Sequence, residues 1–129
     1  MLARNEVIAF LETSDPERAR RFYSDVLGLT FVADTPFALI FDLNGTMLRI
    51  STIERFTPAP YTVLGWKVAD LRRDVEALRS RGISFERYET LAQDDLDIWT
   101  SPDGTQVAWF KDPDGNLLSL SEFPEPEAA

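Results

Sequence analysis

Two stretches of the chain carry the same design. Asp42-Leu-Asn-Gly-Thr-Met-Leu-Arg-Ile-Ser51 parallels Asp112-Pro-Asp-Gly-Asn-Leu-Leu-Ser-Leu-Ser121. Each opens on an Asp, turns at Asn-Gly or Asp-Gly, and runs into a strand with matching apolar positions. Such dipeptides favour tight hairpins because their residues tolerate positive φ. A repeat of this kind makes the chain two related halves, each closing on a hairpin.

Upstream of each copy the pattern also repeats. Val7 to Glu12 reads as a strand. A helix follows, with Ser14 or Asp15 as its cap, Pro16 in its first turn, and Ser14 and Glu17 at capping-box spacing. Ala19, Phe22, Tyr23 and Val26 fall on one helix face, and Gly28 supplies the stop. In the second half Thr62 to Val68 reads as the strand. Asp70 caps a helix with Leu71, Val75 and Leu78 on its apolar face, and Gly82 ends it. Leu29–Ala33, Phe37–Phe41 and Thr46–Ser51 complete the first half as strands. Phe85–Glu89, Asp97–Thr100, Thr105–Phe110 and Leu117–Ser121 complete the second, with a turn at Pro102-Asp103-Gly104. The reading is an α+β fold, βαβββ twice, within one domain 1–129: half one at 5–52, a linker at 53–60, half two at 61–123 and a tail at 124–129.

The chain has no histidine and no cysteine. Disulfides, thiolate nucleophiles, the commonest metal ligand and the usual neutral-pH general base are thereby removed. Any catalysis must use carboxylates, Tyr, Lys, Arg or backbone groups. The formal net charge of −9 argues against nucleic-acid and anionic-membrane partners. It suits a cationic ligand, and it equally suits plain solubility. There is no apolar run long enough for a membrane span and no basic-then-apolar leader, so a cytoplasmic protein is expected.

The segment Thr13-Ser-Asp-Pro-Glu-Arg-Ala-Arg-Arg-Phe-Tyr-Ser-Asp-Val-Leu-Gly28-Leu resembles the first-helix signature of the vicinal-oxygen-chelate superfamily, and Trp109-Phe-Lys-Asp-Pro-Asp-Gly-Asn116 resembles its late hairpin. That superfamily includes glyoxalases, extradiol dioxygenases and bleomycin-resistance proteins. The resemblance covers nearly the whole chain. It implies that the two modules form a cup-shaped half-barrel around a shared cavity, and that the protein is a homodimer. Many members hold a divalent metal with four His, Gln or Glu side chains, one from each of four strands. Counting from the motifs places those positions at Ile8, Arg49, Val63 and Ser119. Ile and Val have no donor atoms, Arg is a cation, and Ser is a weak neutral ligand. Shifting the count by one residue in either direction finds no better set. The resemblance thus implies a member with no metal and no cofactor, performing neither glyoxalase I-type isomerisation nor extradiol cleavage.

Strand alternation extends the set: Ile8 brings Phe10 and Glu12, Arg49 brings Met47 and Ser51, Val63 brings Gly65 and Lys67, and Ser119 brings Leu117 and Ser121. Mostly apolar walls with a few polar handles suit a small organic ligand. The candidate ligand-binding residues are Ile8, Phe10, Glu12, Arg49, Val63, Lys67, Trp99 and Ser119. Some have a second reading. Glu12 and Lys67 could be solvated strand-end charges. Arg49 either receives a ligand carboxylate or phosphate, or pairs internally with Glu12. Trp99, near Asp94, Asp95 and Asp97, either draws a cationic aromatic compound or anchors an acidic loop. Trp66 and Trp109 are expected to be packing residues. The expected function is metal-independent binding of a small organic molecule, cationic or aromatic, of the drug-sequestering type. The alternative is a lyase, isomerase or dioxygenase of the same superfamily with an atypical site using Glu12 and Glu122.

Overall fold

In a computed structural model that describes residues 1–125, the chain is α+β and repeats a βαβββ module. After a short 3-10 turn at Leu2–Arg4, the first module runs β1 (Ile8–Thr13), α1 (Pro16–Arg21), β2 (Thr30–Asp34), β3 (Ala38–Leu43) and β4 (Thr46–Thr52). The second runs β5 (Thr62–Lys67), α2 (Leu71–Ser80), β6 (Trp99–Thr100), β7 (Gln106–Lys111) and β8 (Leu117–Glu122). Each module makes one mixed four-stranded sheet, ordered β1-β4-β3-β2 and β5-β8-β7-β6. The first strand of each pairs in parallel with the last, and the other pairings are antiparallel. No helix among the described residues is long and apolar enough to cross a membrane. Positions 126–129 of the expected tail lie outside the described residues.

Contacts divide the chain into two compact units. Unit 1 is Met1–Pro58 together with Asp112–Asn116, and unit 2 is Ala59–Lys111 with the chain from Leu117 onward. The turn that joins β7 to β8 therefore belongs to the unit of the first module.

In unit 1 the period-2 pattern sorts each strand into two faces. Leu11, Leu39, Phe41, Leu48 and Ile50 are buried on the helix side, where Ala19, Phe22 and Tyr23 close the core. Aromatic rings tie that core together: Tyr23 lies 6.1 Å from Phe41, and Phe31 meets Phe41 edge-on at 5.4 Å. The helix departs from expectation in its capping box and in its last turn. Asp15 is the cap, accepting from Arg18 N at 3.2 Å, whereas the Ser14 hydroxyl donates to Asp114 at 2.9 Å. Ser14 is thereby withdrawn from the capping box. After Arg21 the helix widens into a π turn, Phe22–Val26, before Gly28 stops it at φ +73.

The turn 112–116 is anchored in unit 1 by two carboxylates. Asp112 is buried; it accepts from Tyr23 Oη at 2.6 Å, from Asn116 Nδ2 at 2.8 Å, and from the backbone N–H groups of Asp114 and Asn116. Asn116 Nδ2 also donates to the Glu12 carbonyl at 3.0 Å. Asp114 accepts from Thr13 Oγ1 at 2.5 Å, from Ser14, and from Arg18 Nη2 at 3.0 Å. Burial, and then the charge and hydrogen bond of Asp112, raise the Tyr23 phenol far above its ordinary range, so it remains a donor. Partial burial pushes the Asp114 carboxyl up, but the bonds from Thr13 and Ser14 and the Arg18 charge outweigh it and hold the group below the usual range.

In unit 2, Ala108, Phe110, Leu118 and Leu120 are buried on one sheet face together with Leu71 and Val75 of α2. Trp66, half-buried, stacks on Phe110 at 6.5 Å. Two expected strands are reduced. Of 85–89 only Phe85 bridges the sheet, opposite Phe110. Glu86 N still donates to Trp109 O of β7 at 2.7 Å, but beyond it side chains take over: Gln93 Oε1 accepts from Tyr88 N at 2.7 Å, and Gln93 Nε2 donates to Glu86 O and Asp97 O. Of 97–100 only Trp99 and Thr100 pair, because Asp97 sits at φ +61, outside strand geometry.

Removing the Asp112 carboxylate strands a buried phenol and amide together. Asp112→Ala should lower unfolding free energy by about 3 kcal/mol and Tyr23→Phe by about 1 kcal/mol, read from urea midpoints. The folded pKa of Asp114 lies below its unfolded value of about 3.9, so its contribution is complete above that pH and is lost as pH falls through the folded value. The stability gap between wild type and Asp114→Asn should therefore be open at neutral pH and close in acid.

Candidate functional site

Each sheet has a face turned away from its helix, and the expected site residues lie on these faces. In unit 1 that face carries Ile8, Phe10 and Glu12 of β1 and Met47, Arg49 and Ser51 of β4. Ile8 is 45%, Phe10 64% and Met47 41% exposed. Register sets Phe10 and Ile40 beside Arg49, and Glu12 beside Ser51. Arg49 is half-buried, and among the described residues it makes no hydrogen bond and no ion pair. The internal Glu12–Arg49 pair is thus not formed; Glu12 itself is exposed. Unit 1 therefore presents apolar surface around a guanidinium with free donors.

In unit 2 the corresponding face holds Ser119 at its centre, with Gly65 on one side and Trp109 on the other. Ser119 is buried, and a Cβ on Gly65 would lie 2.5 Å from its Oγ. Glycine at 65 is what lets the Ser119 side chain lie against β5. Val63 falls in a register irregularity between Thr62 and Leu64 and is partly exposed; Lys67, beside Ser121, is exposed. Trp109 lies opposite in direction to Phe110 and packs with other rings. Its centroid is 5.5 Å from Tyr88, edge-on, and 6.1 Å from Trp99, tilted. All three rings are half-buried, leaving part of each free for contact. Burial, and next the Glu86 charge, raise the Tyr88 phenol above its ordinary range, keeping it a neutral donor.

The acidic loop before Trp99 is occupied internally. Asp97 binds Arg79 at 2.7 Å and Arg87 at 2.5 Å, while Asp94 binds Arg72 at 2.9 Å and accepts from the backbone of Leu96 and Ile98. Asp95, 80% exposed at its side chain, has Arg72 at 3.5 Å. These carboxylates hold a loop; they do not stand ready for a cation beside Trp99. Glu122 is likewise committed, accepting from Leu71 N at the start of α2 at 2.9 Å.

Residues 7–120 match the sequence model of the Glyoxalase/Bleomycin resistance protein/Dioxygenase superfamily. The chain belongs to this superfamily. Solved structures with the same fold include a superfamily member from Sphaerobacter thermophilus DSM 20745, 24% identical, covering 95% of this chain and 99% of that one, with a TM-score of 0.75. A glyoxalase family protein from Enterococcus faecalis is 23% identical over 95% of this chain and 100% of its own, with a TM-score of 0.73. An antibiotic binding protein from Streptomyces sp. CB03234 is 24% identical over 94% and 98%, with a TM-score of 0.69. At these identities the likeness concerns the fold. No match was found among curated proteins.

The residues at the four positions counted from the motifs do not fit a divalent ion. In unit 1, Ile8 offers no donor and Arg49 is a cation. In unit 2, Val63 offers none and Ser119 only a hydroxyl lodged against Gly65. Among the described residues, no three of His, Cys, Asp and Glu are grouped to hold a metal ion.

Sequence reasoning missed Trp109 and Tyr88 as neighbours of Trp99. Alternation carried the signal for Trp109: Phe110 and Ala108 point to the core, so Trp109 must point away. Nothing local announced Tyr88, which arrives by the irregular chain after Phe85. Gly65→Ala should cost about 1–3 kcal/mol through the clash with Ser119 Oγ, and adding Ser119→Ala should recover more than half of it; urea midpoints of the two single variants and the double variant test this coupling.

Proposed function

We propose that this superfamily member is a metal-independent small-molecule-binding protein of the drug-sequestering type. The exposed apolar face of unit 1 carries the reading. A fully buried Ile, Phe or Met side chain is worth about 1.5–3 kcal/mol, and Ile8, Phe10 and Met47 forgo much of that in the free protein. Clustered exposed apolar surface marks a place where something binds. An organic molecule laid on this face would recover the lost burial, with Glu12 and Arg49 as its polar neighbours. The half-buried rings of Tyr88, Trp99 and Trp109 give unit 2 a stacking surface of its own, next to Val63, Lys67 and Ser119. An aromatic ligand suits both faces better than a cation does, since the carboxylates near Trp99 already meet arginines. The antibiotic binding protein among the structural relatives supports the reading by analogy of fold. In this reading the protein acts in the cytoplasm as a homodimer.

Screening cationic glycopeptides, aromatic compounds and amphiphiles by tryptophan fluorescence and thermal shift tests the proposal. A bound aromatic compound should quench the fluorescence and, at about 100 times its Kd, add about 2.7 kcal/mol of stability. Phe10→Ser should weaken it, and EDTA should not. Stoichiometric divalent metal in protein purified without chelators, or binding abolished by EDTA, would overturn metal independence. Light scattering that returns the 14.6 kDa monomer mass would remove the dimer.

A further inference from the structure

Among the described arginines, Arg18 and Arg49 are half-buried and the others are exposed. Arg18 is paired with the Asp114 carboxylate at 3.0 Å. Arg49 has no hydrogen-bond or ion-pair partner among the described residues. Its position makes this unusual. It sits in the middle of β4, a central strand, between Phe10 of β1 and Ile40 of β3, with Met47 and Ser51 two residues away on the same face. Its nitrogens stay reachable: among the described residues the only buried side-chain nitrogen or oxygen without a partner is Arg18 Nε, so the Arg49 donors are open to a ligand.

Two carboxylates share this face, and neither serves it. Glu12 is exposed and sits in register with Ser51. Asp42, in register with Met47, accepts from Gly45 N at 3.0 Å within its own turn. Packing of the Arg49 stem on its apolar neighbours would explain the methylenes, as snorkelling side chains often do. It does not use the planar fork at the tip, whose geometry matches a carboxylate or phosphate in two parallel bonds.

We infer that the molecule bound on the unit 1 face carries an oxyanion, a carboxylate or phosphate on an apolar body, and that Arg49 receives it. The inference rests on the small-molecule-binding reading and names its ligand class. The formal net charge of −9 does not oppose it decisively. Exposed charges farther away than the screening length of about 8 Å at physiological salt are largely masked, whereas Arg49 acts at contact.

Four naphthalene probes of one shape test this by isothermal titration: 2-naphthoate, 2-naphthyl phosphate, 2-naphthamide and 2-naphthylmethylammonium. One or both acids should bind at least about tenfold more tightly than the amide, a difference of about 1.4 kcal/mol, and the ammonium should be weakest. The tighter acid names the oxyanion. Arg49→Met, which keeps a long apolar stem, should abolish the preference while its thermal midpoint shows the fold intact; Arg49→Lys, which keeps charge without the fork, should retain part of it. An amide or ammonium that binds as tightly as both acids, or a preference that survives in Arg49→Met, overturns the inference and leaves the binding reading standing. If none of the four probes binds, both fall.

Discussion

The buried carboxylate of Asp112 accepts from a phenol, a side-chain amide and two backbone N–H groups. A charge taken out of water survives only when its lone pairs are met, and here they are. The arrangement fixes the turn 112–116, and the turn fixes much else. Asn116 reaches the Glu12 carbonyl, and Asp114 collects Thr13, Ser14 and Arg18. The end of β1 and the start of α1 are thus held from one point. Phe10 and Glu12 stand on the open face because Leu11 and Thr13 are held in the covered one.

Comparison of the two copies of the repeat shows which positions packing controls. Leu48 corresponds to Leu118 and Ile50 to Leu120; all four are buried under the helix side. Met47 and Ser51 correspond to Leu117 and Ser121, again similar. Arg49 corresponds to Ser119, and this pair shares neither charge, size nor partners. A covered position accepts only an apolar group of suitable volume. Arg49, on the open face, is free of that demand, so its chemistry can answer to something outside the sheet, whereas Ser119 is packed against Gly65. The two faces have accordingly become different surfaces, one apolar around a guanidinium and one aromatic around a hydroxyl.

Much of the fold was legible in the sequence because its signals are local. Asn44-Gly45 makes its turn with both residues at positive φ, and Asp70 caps α2 through Arg73 N at 3.2 Å. Alternation grouped Ile8 with Phe10 and Glu12, and Arg49 with Met47 and Ser51, and the strand register sets these two rows side by side. The failures share one cause. The segment from Arg87 to Asp97 contains strand-forming residues, yet the side chains of Gln93 and Arg87 bind much of its backbone. Such side-chain bonds join residues at no fixed spacing, so periodicity does not reveal them. The same holds for Ser14, whose expected cap role yields to Asp114, distant in sequence. Of the candidate site, the strand faces were legible; the isolation of Arg49 and the ring cluster around Trp109 required three dimensions.

Because unit 1 comprises Met1–Pro58 and the turn Asp112–Asn116, its last pieces are made only after Ala59–Lys111 of unit 2. A ribosome that has released the first module has released β1 to β4 without the acids that hold Thr13, Ser14 and Tyr23. The first module therefore waits, incompletely assembled, until residues 112–116 have emerged. Synthesis in the N-to-C direction gives this protein no early, self-sufficient half, and the repeat visible in its sequence is not a repeat of independent folding units.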